Sequence, residues 1–202
     1  MNHLAHVVLA GAPEGLRLGA FLGDHVKGRQ ALAELPAGWA AGVELHRRID
    51  TLSDAHPAVF GLLDGLEPPW RRYGGVIFDV LFDYMLTRHW SRFGPMPLEQ
   101  LADEIDRTLA RHRAGLPPRL VRFSLWAESR GLWRRYGERA MLEEIFGLLA
   151  QRHGRRWPLA EGIRLLDEHE AAIEQAFLKL FPDLQAQMAG ERARLYSTWS
   201  SM

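Results

Sequence analysis

Apolar residues recur along most of this chain at intervals of three and four, the period of helices that turn one face inward. The pattern predicts a short helix from Met1 to Ala10, ended by "GAPEG", and a second from Leu16 to Val26, closed by Gly28. Pro36 opens a helix carrying "WAAGVELHRRIDTLSDAHP" that stops at Pro57, and Ala58–Leu66 follows as a shorter one. A long apolar helix runs from about Arg72 to Arg92 and ends at "FGPMP". Leu98–Arg113 is amphipathic, with Leu101, Ile105 and Leu109 on one face. After "GLPPR" come Leu120–Arg130, Leu132–Arg152 and Pro158–Phe181, the last with Leu166, His169, Ile173 and Phe177 turned inward. Strand-like alternation is scarce and the linkers are short. The expectation is an all-α fold, a single-domain helical bundle spanning residues 1–202.

Composition narrows the chemistry. The 202 residues contain no cysteine, so disulfides, thiol catalysis and thiolate metal sites are excluded. A metal must sit on His, Asp or Glu, which favours Mg, Mn, Fe(II) or Zn. A formal net charge of zero argues against nucleic acid as a partner of the whole chain. Eleven arginines against four acids nevertheless give the segment from Arg111 to Arg156 a charge of +7. That is either a set of solvated helix faces or a docking surface for an acidic partner. No apolar run approaches the roughly 20 residues of a membrane helix, and the N-terminus lacks a basic region before its apolar patch. A cytoplasmic protein is expected.

Candidate ligands gather in the first ninety residues. "NHLAH" sets His3 and His6 three apart. "GDHVKG" places Asp24 and His25 between glycines that permit close backbone approach. In "LHRRIDTLSDAHP", His46 and Asp50 share a helix face, Asp54 continues it, and Arg47 and Arg48 offer guanidinium groups suited to phosphate. "FDVLFDYMLTRHW" holds Asp79 and Asp83 about 40° apart around an otherwise greasy helix. Two ionised carboxylates so close repel each other, and a divalent cation would remove the penalty for both. Ion pairing with Arg71, Arg72, Arg47 or Arg48 is the alternative. His89 lies about 240° around the helix from Asp83 and is not on that face.

His and Asp pairs on several helices of a cysteine-free chain suggest a helical metallophosphohydrolase of the HD type, although the adjacent His-Asp dipeptide is absent. The chain also resembles the bacterial acyl carrier protein phosphodiesterases. The similarity rests on "MNHLAH", "GAFLGDHVKG", "GVELHRRIDTLSDAHP" and "RRYGGVIFDVLFDYMLTRHW", and weakens from "LWRRY" to "LDEHEAAIEQAFLKLFPDL". Matching positions are Asn2, His6, Asp24, His46, Arg47, Arg48, Asp50, Asp54, His56, Asp79 and Asp83. Two positions depart from the family pattern: His3 stands where relatives carry an aromatic residue, and Tyr84 where many carry His.

The resemblance implies an HD-like helical fold and a divalent-metal hydrolase served by Mn or Mg ahead of Fe(II). It implies cleavage of holo-acyl carrier protein to apo-carrier and 4′-phosphopantetheine. Metal and catalysis are then expected at Asp24, His46, Asp50, Asp79 and Asp83, with His6 as a further ligand, and Arg47 or Arg48 facing the phosphoryl oxygens. Asp83→Asn is expected to cost orders of magnitude in activity while the fold survives. Carrier proteins are strongly acidic, so the 111–156 segment becomes a docking candidate, and Trp70, Trp90 and Trp126 could wall a channel for the prosthetic arm. The other readings are an HD-type nucleotide phosphohydrolase and a non-catalytic helical binding protein held by buried ion pairs.

Overall fold

The computed structural model describes residues 1–152 and 159–200, and among them the chain forms twelve α-helices, two 3-10 turns and no strand. The α-helices are α1 (His3–Ala10), α2 (Glu14–Leu22), α3 (Gly28–Ala33), α4 (Ala37–Asp54), α5 (Pro57–Asp64) and α6 (Trp70–Arg88). They continue with α7 (Trp90–Phe93), α8 (Leu98–His112), α9 (Pro118–Arg130), α10 (Leu132–Arg135), α11 (Arg139–Arg152) and α12 (Ile163–Ser200). No described helix is long and apolar enough to cross a membrane.

Two long helices organise the rest. α6 buries Ile77, Phe78 and every residue from Val80 to Leu86, as a helix segment apolar around most of its circumference must. α12 packs along α4, α5 and α6, and its Phe177 meets Phe82, Phe93 and Phe181 in an aromatic cluster with centroids 5.1–6.4 Å apart.

The close pairing of α2 with α4 determines where the chemistry sits. Gly19 and Gly42 face each other, and a Cβ on Gly42 would lie 2.4 Å from the Leu16 carbonyl oxygen and 2.7 Å from the Gly19 Cα. Gly15 and Gly38 extend the seam one turn further. The backbones therefore approach closely, and the loop after α2, carrying Asp24, comes against the middle of α4, carrying His46 and Asp50.

Several element boundaries differ from expectation for physical reasons. α2 stops at Leu22, and Gly23–His25 forms a turn. Gly28 takes a positive φ of 83° and opens the six-residue α3, too short for periodicity to reveal. Leu132–Arg152 divides into α10 and α11 around Gly137, where the chain passes Thr87. α12 runs far beyond Phe181, through Pro182, and breaks locally at His169 (φ −133°, ψ 18°). His169 is consequently half-buried, while Leu166, Ile173 and Phe177 are in the core. Pro158, where the last helix was expected to begin, lies outside the described residues.

Candidate metal centre

His6 on α1 and His46 and Asp50 on α4 converge, with one ligand atom from each within 4.8 Å of the others. Asp50 Oδ1 lies 3.0 Å from His6 Nε2, and Asp50 Oδ2 lies 3.1 Å from His46 Nε2. Asp24 Oδ1 stands 3.8 Å from His46 Nε2. The imidazoles are buried, whereas the Asp24 and Asp50 side chains are 66% and 40% exposed, so the cluster opens to solvent along its carboxylate edge.

Backbone carbonyls fix both rings. His6 Nδ1 is 2.8 Å from the Asn2 carbonyl, and His46 Nδ1 is 2.8 Å from the Ala20 carbonyl. A carbonyl only accepts, so each Nδ1 carries its proton and a neutral ring presents a lone pair at Nε2. Yet each Nε2 also faces Asp50, another acceptor. Satisfying every contact with protons alone would need two imidazolium rings stacked 4.1 Å apart. Burial opposes that at His6 and lowers its pKa despite Asp50. Burial also opposes charge on His46, but Asp24 and Asp50 outweigh it and raise the group to about 9. Burial works to raise Asp50 as well, but His46 and His6 overcome it and hold the carboxyl well below the usual range; His46 does the same for Asp24. Lone pairs and carboxylate oxygens converging on one point fit a cation, and the donor set suits a divalent metal.

Gly23 is a supporting residue that the sequence did not single out for this purpose. A Cβ there would lie 2.2 Å from His46 Cγ and Cδ2. The close approach permitted by "GDHVKG" at Gly23 is therefore that of the imidazole. Gly23 has ordinary helical φ and ψ, so alanine is tolerated by the backbone and only the ring must move. We expect Gly23→Ala to weaken the affinity of this cluster for a divalent metal about 10- to 100-fold, read by titration calorimetry with Mn as the probe, in the range of changes to groups that orient metal ligands.

Asp79 and Asp83 do not join this cluster, nor do they pair with the arginines considered for them. Asp83 is fully buried; its Oδ2 accepts from the Leu4 N–H at 2.8 Å and its Oδ1 from the Ala5 N–H at 3.1 Å. It anchors the first turn of α1, where helix amides have no partner of their own. Burial pushes its carboxyl up to about 7, against the pull of the two amides. Asp79 accepts from the Met1 ammonium at 2.5 Å. Asp54 lies close enough to Asp79 and Asp50 to be raised by them, after the effect of burial.

The remaining candidates have separate tasks. The Arg47 guanidinium donates to the Val26 carbonyl at 2.9 Å, bracing the loop that carries Asp24. Arg48 turns to Glu191 on α12, 3.6 Å away. His56 caps α5 by accepting from the Ala58 N–H, and it also meets Asp183. Asn2 caps α1, accepts from the His6 ring through its carbonyl, and donates to the hydroxyl of the buried Tyr136 at 2.8 Å. Partly buried His3 lies against Phe21 and Phe123 with centroids 5.6 and 4.7 Å away, and burial lowers its pKa to about 3. Tyr84 is buried under Arg88, and His89 binds Glu174 at 2.7 Å on α12.

Of the three tryptophans expected to line a channel, only Trp126 is near this region, packed on Phe123. Trp70 lies under Arg164, and the indole of Trp90 donates to the Met96 carbonyl. A hollow of about 540 Å³ lined by Pro68, Pro69, Arg71, Arg72 and Tyr73 contains none of the cluster residues.

Sequence comparison places relatives beside this geometry. The acyl carrier protein phosphodiesterase family model matches residues 1–184. The acyl carrier protein phosphodiesterase of Enterobacter sp. (strain 638) is 32% identical over 191 residues, covering 93% of this chain and 97% of that protein. The protein of the same name from Escherichia coli O157:H7 is also 32% identical over 191 residues, with the same coverage of 93% and 97%. The Salmonella agona (strain SL483) protein is 31% identical over 193 residues, covering 94% of this chain and 98% of its own. No solved structure matches the chain significantly.

Proposed function

Because this chain belongs to the acyl carrier protein phosphodiesterase family, we propose that it is a metal-dependent phosphodiesterase of the cytoplasm. It would hydrolyse holo-acyl carrier protein to apo-carrier and 4′-phosphopantetheine. The observation that carries the metal reading is the mismatch at His6, His46 and Asp50, where two carbonyl-locked imidazoles both face one carboxylate. A divalent ion, Mn or Mg ahead of Fe(II), held there with Asp24 beside it, would polarise the phosphoryl group and acidify a water.

The chain's own residues supply the remaining functions. The carbonyls of Asn2 and Ala20 keep both Nε2 lone pairs aimed at the ligand position. Asp24, the most exposed carboxylate of the group, is placed to accept the proton lost by the attacking water. The water oxygen forms the new bond to phosphorus, the bond to the carrier's serine oxygen breaks, and the proton taken up by Asp24 is passed to that serine oxygen as it leaves. Arg47 steadies the Asp24 loop through one nitrogen and keeps further N–H groups for a phosphoryl oxygen. Arg48, engaged with Glu191, is the weaker candidate for that task.

The test is conversion of holo- to apo-carrier by the purified protein with Mn, followed by gel mobility and by the mass of the released arm. EDTA should abolish turnover and added Mn should restore it. Turnover of nucleotide phosphates without action on the carrier would favour an HD-type nucleotide phosphohydrolase. Failure to bind metal would favour the non-catalytic reading.

A further inference from the structure

The sequence offered the whole 111–156 segment as a basic face, but the structure neutralises most of it. Arg111 pairs with Glu14, Arg113 with Glu128, Arg130 with Glu144, Arg135 with Glu138, and Arg139 with Asp167. Arg134 meets Glu99, Asp103 and Asp106. Exposed internal pairs of this kind leave little field for a partner. Arg155 and Arg156 lie outside the described residues.

Among the described residues, Arg119, Arg122 and Arg152 have no carboxylate within ion-pair distance, and all three are exposed. Arg119 and Arg122 are three apart on α9 and share its outer face. Arg119, Arg152 and the exposed Lys27 come from different parts of the chain, yet all three act electrostatically on His25. His25 directly follows Asp24, whose carboxylate borders the cluster. Three cations without an internal carboxylate partner among the described residues, Lys27, Arg119 and Arg152, thus lie toward one rim of the candidate metal centre. α9 adds an apolar component: Leu125 is 45% exposed, and Phe123 packs on His3, one turn before His6.

We propose that Lys27, Arg119, Arg122 and Arg152 form the docking face for an acidic surface of the carrier protein, which would present its phosphodiester to the adjacent cluster. This rests on the carrier being the substrate. Charge complementarity beside the open carboxylate edge favours this partner over the remainder of the segment, whose arginines already have internal partners.

The experiment compares wild type, Arg119→Glu/Arg122→Glu, and Arg130→Glu in full-length Mn-loaded protein, with unfolding temperatures checked for each. For the double variant, KM for holo-carrier should rise at least about tenfold with kcat nearly unchanged, as expected for charges at the rim of an interface. Turnover of bis-p-nitrophenyl phosphate, a small diester with no protein surface, should not change. Arg130→Glu should leave KM for the carrier within about twofold, since exposed pairs contribute little. Equal KM increases in both variants, or none in the double variant, would overturn the proposed face. If wild type cleaves the small diester but not the carrier, the carrier reading itself fails, and the face falls with it for a distinguishable reason.

Discussion

Asp50→Asn should leave a folded protein that has lost hydrolysis of the carrier phosphodiester, with kcat/KM lower by at least about 1,000-fold, or ~4 kcal/mol of transition-state stabilisation. Asp50 is the residue on which both imidazoles converge, with one oxygen toward each Nε2. Asparagine preserves the shape but removes the charge and replaces one acceptor with an N–H donor. Metal content should therefore fall together with activity, and elemental analysis after dialysis reads this independently of turnover. The unfolding temperature should change by only a few degrees, because Asp50 is partly exposed and α4 is held elsewhere by its seam with α2 and by α12. Full metal occupancy with unimpaired turnover in Asp50→Asn would remove Asp50 from the metal centre.

The sequence made the chemistry of α4 readable because both partners lie on one element. His46 and Asp50 are four residues apart, and helix geometry alone places them on one face. Much of the helical layout was readable for a similar reason: the apolar faces of α6 and α8 repeat over several turns. What could not be read depends on contacts across the fold. Nothing local to Asp83 indicates that its partners are the amides of Leu4 and Ala5, because a backbone N–H is the same in every non-proline residue. Gly23 appeared as a place of close approach, but the group that approaches it is His46, 23 positions later. The basic segment was visible as composition, whereas its neutralisation by Glu14, Glu99, Asp103 and Asp167 depends on how α2, α8 and α12 pack. α3 and the break between α10 and α11 escaped because a six-residue helix and a three-residue turn are shorter than the window in which periodicity can be judged.

The second large effect is expected at Asp83, and its form differs from what the sequence suggested. A metal ligand exchanged for asparagine would lose activity and keep its fold. The two buried N–H bonds of Asp83 predict primarily a loss of stability. Asp83→Ala leaves the Leu4 and Ala5 amides without their acceptor in a region closed to water. At ~1–3 kcal/mol for each unsatisfied buried group, the cost is about 4 kcal/mol. For a chain of this size, that lowers the unfolding temperature by roughly 10 °C. Asp83→Asn keeps one acceptor oxygen but turns an NH2 group toward the other amide, so its loss should be about half as large. Activity should fall as well, because α1 carries His6 and the anchored turn includes Asn2, whose carbonyl orients that ring. The measurement that separates the two roles is Mn affinity well below the unfolding temperature. An anchoring Asp83 predicts a lower melting temperature with Mn affinity for the folded asparagine variant changed by less than about tenfold. Unchanged melting with affinity lost about 100-fold would return Asp83 to the metal.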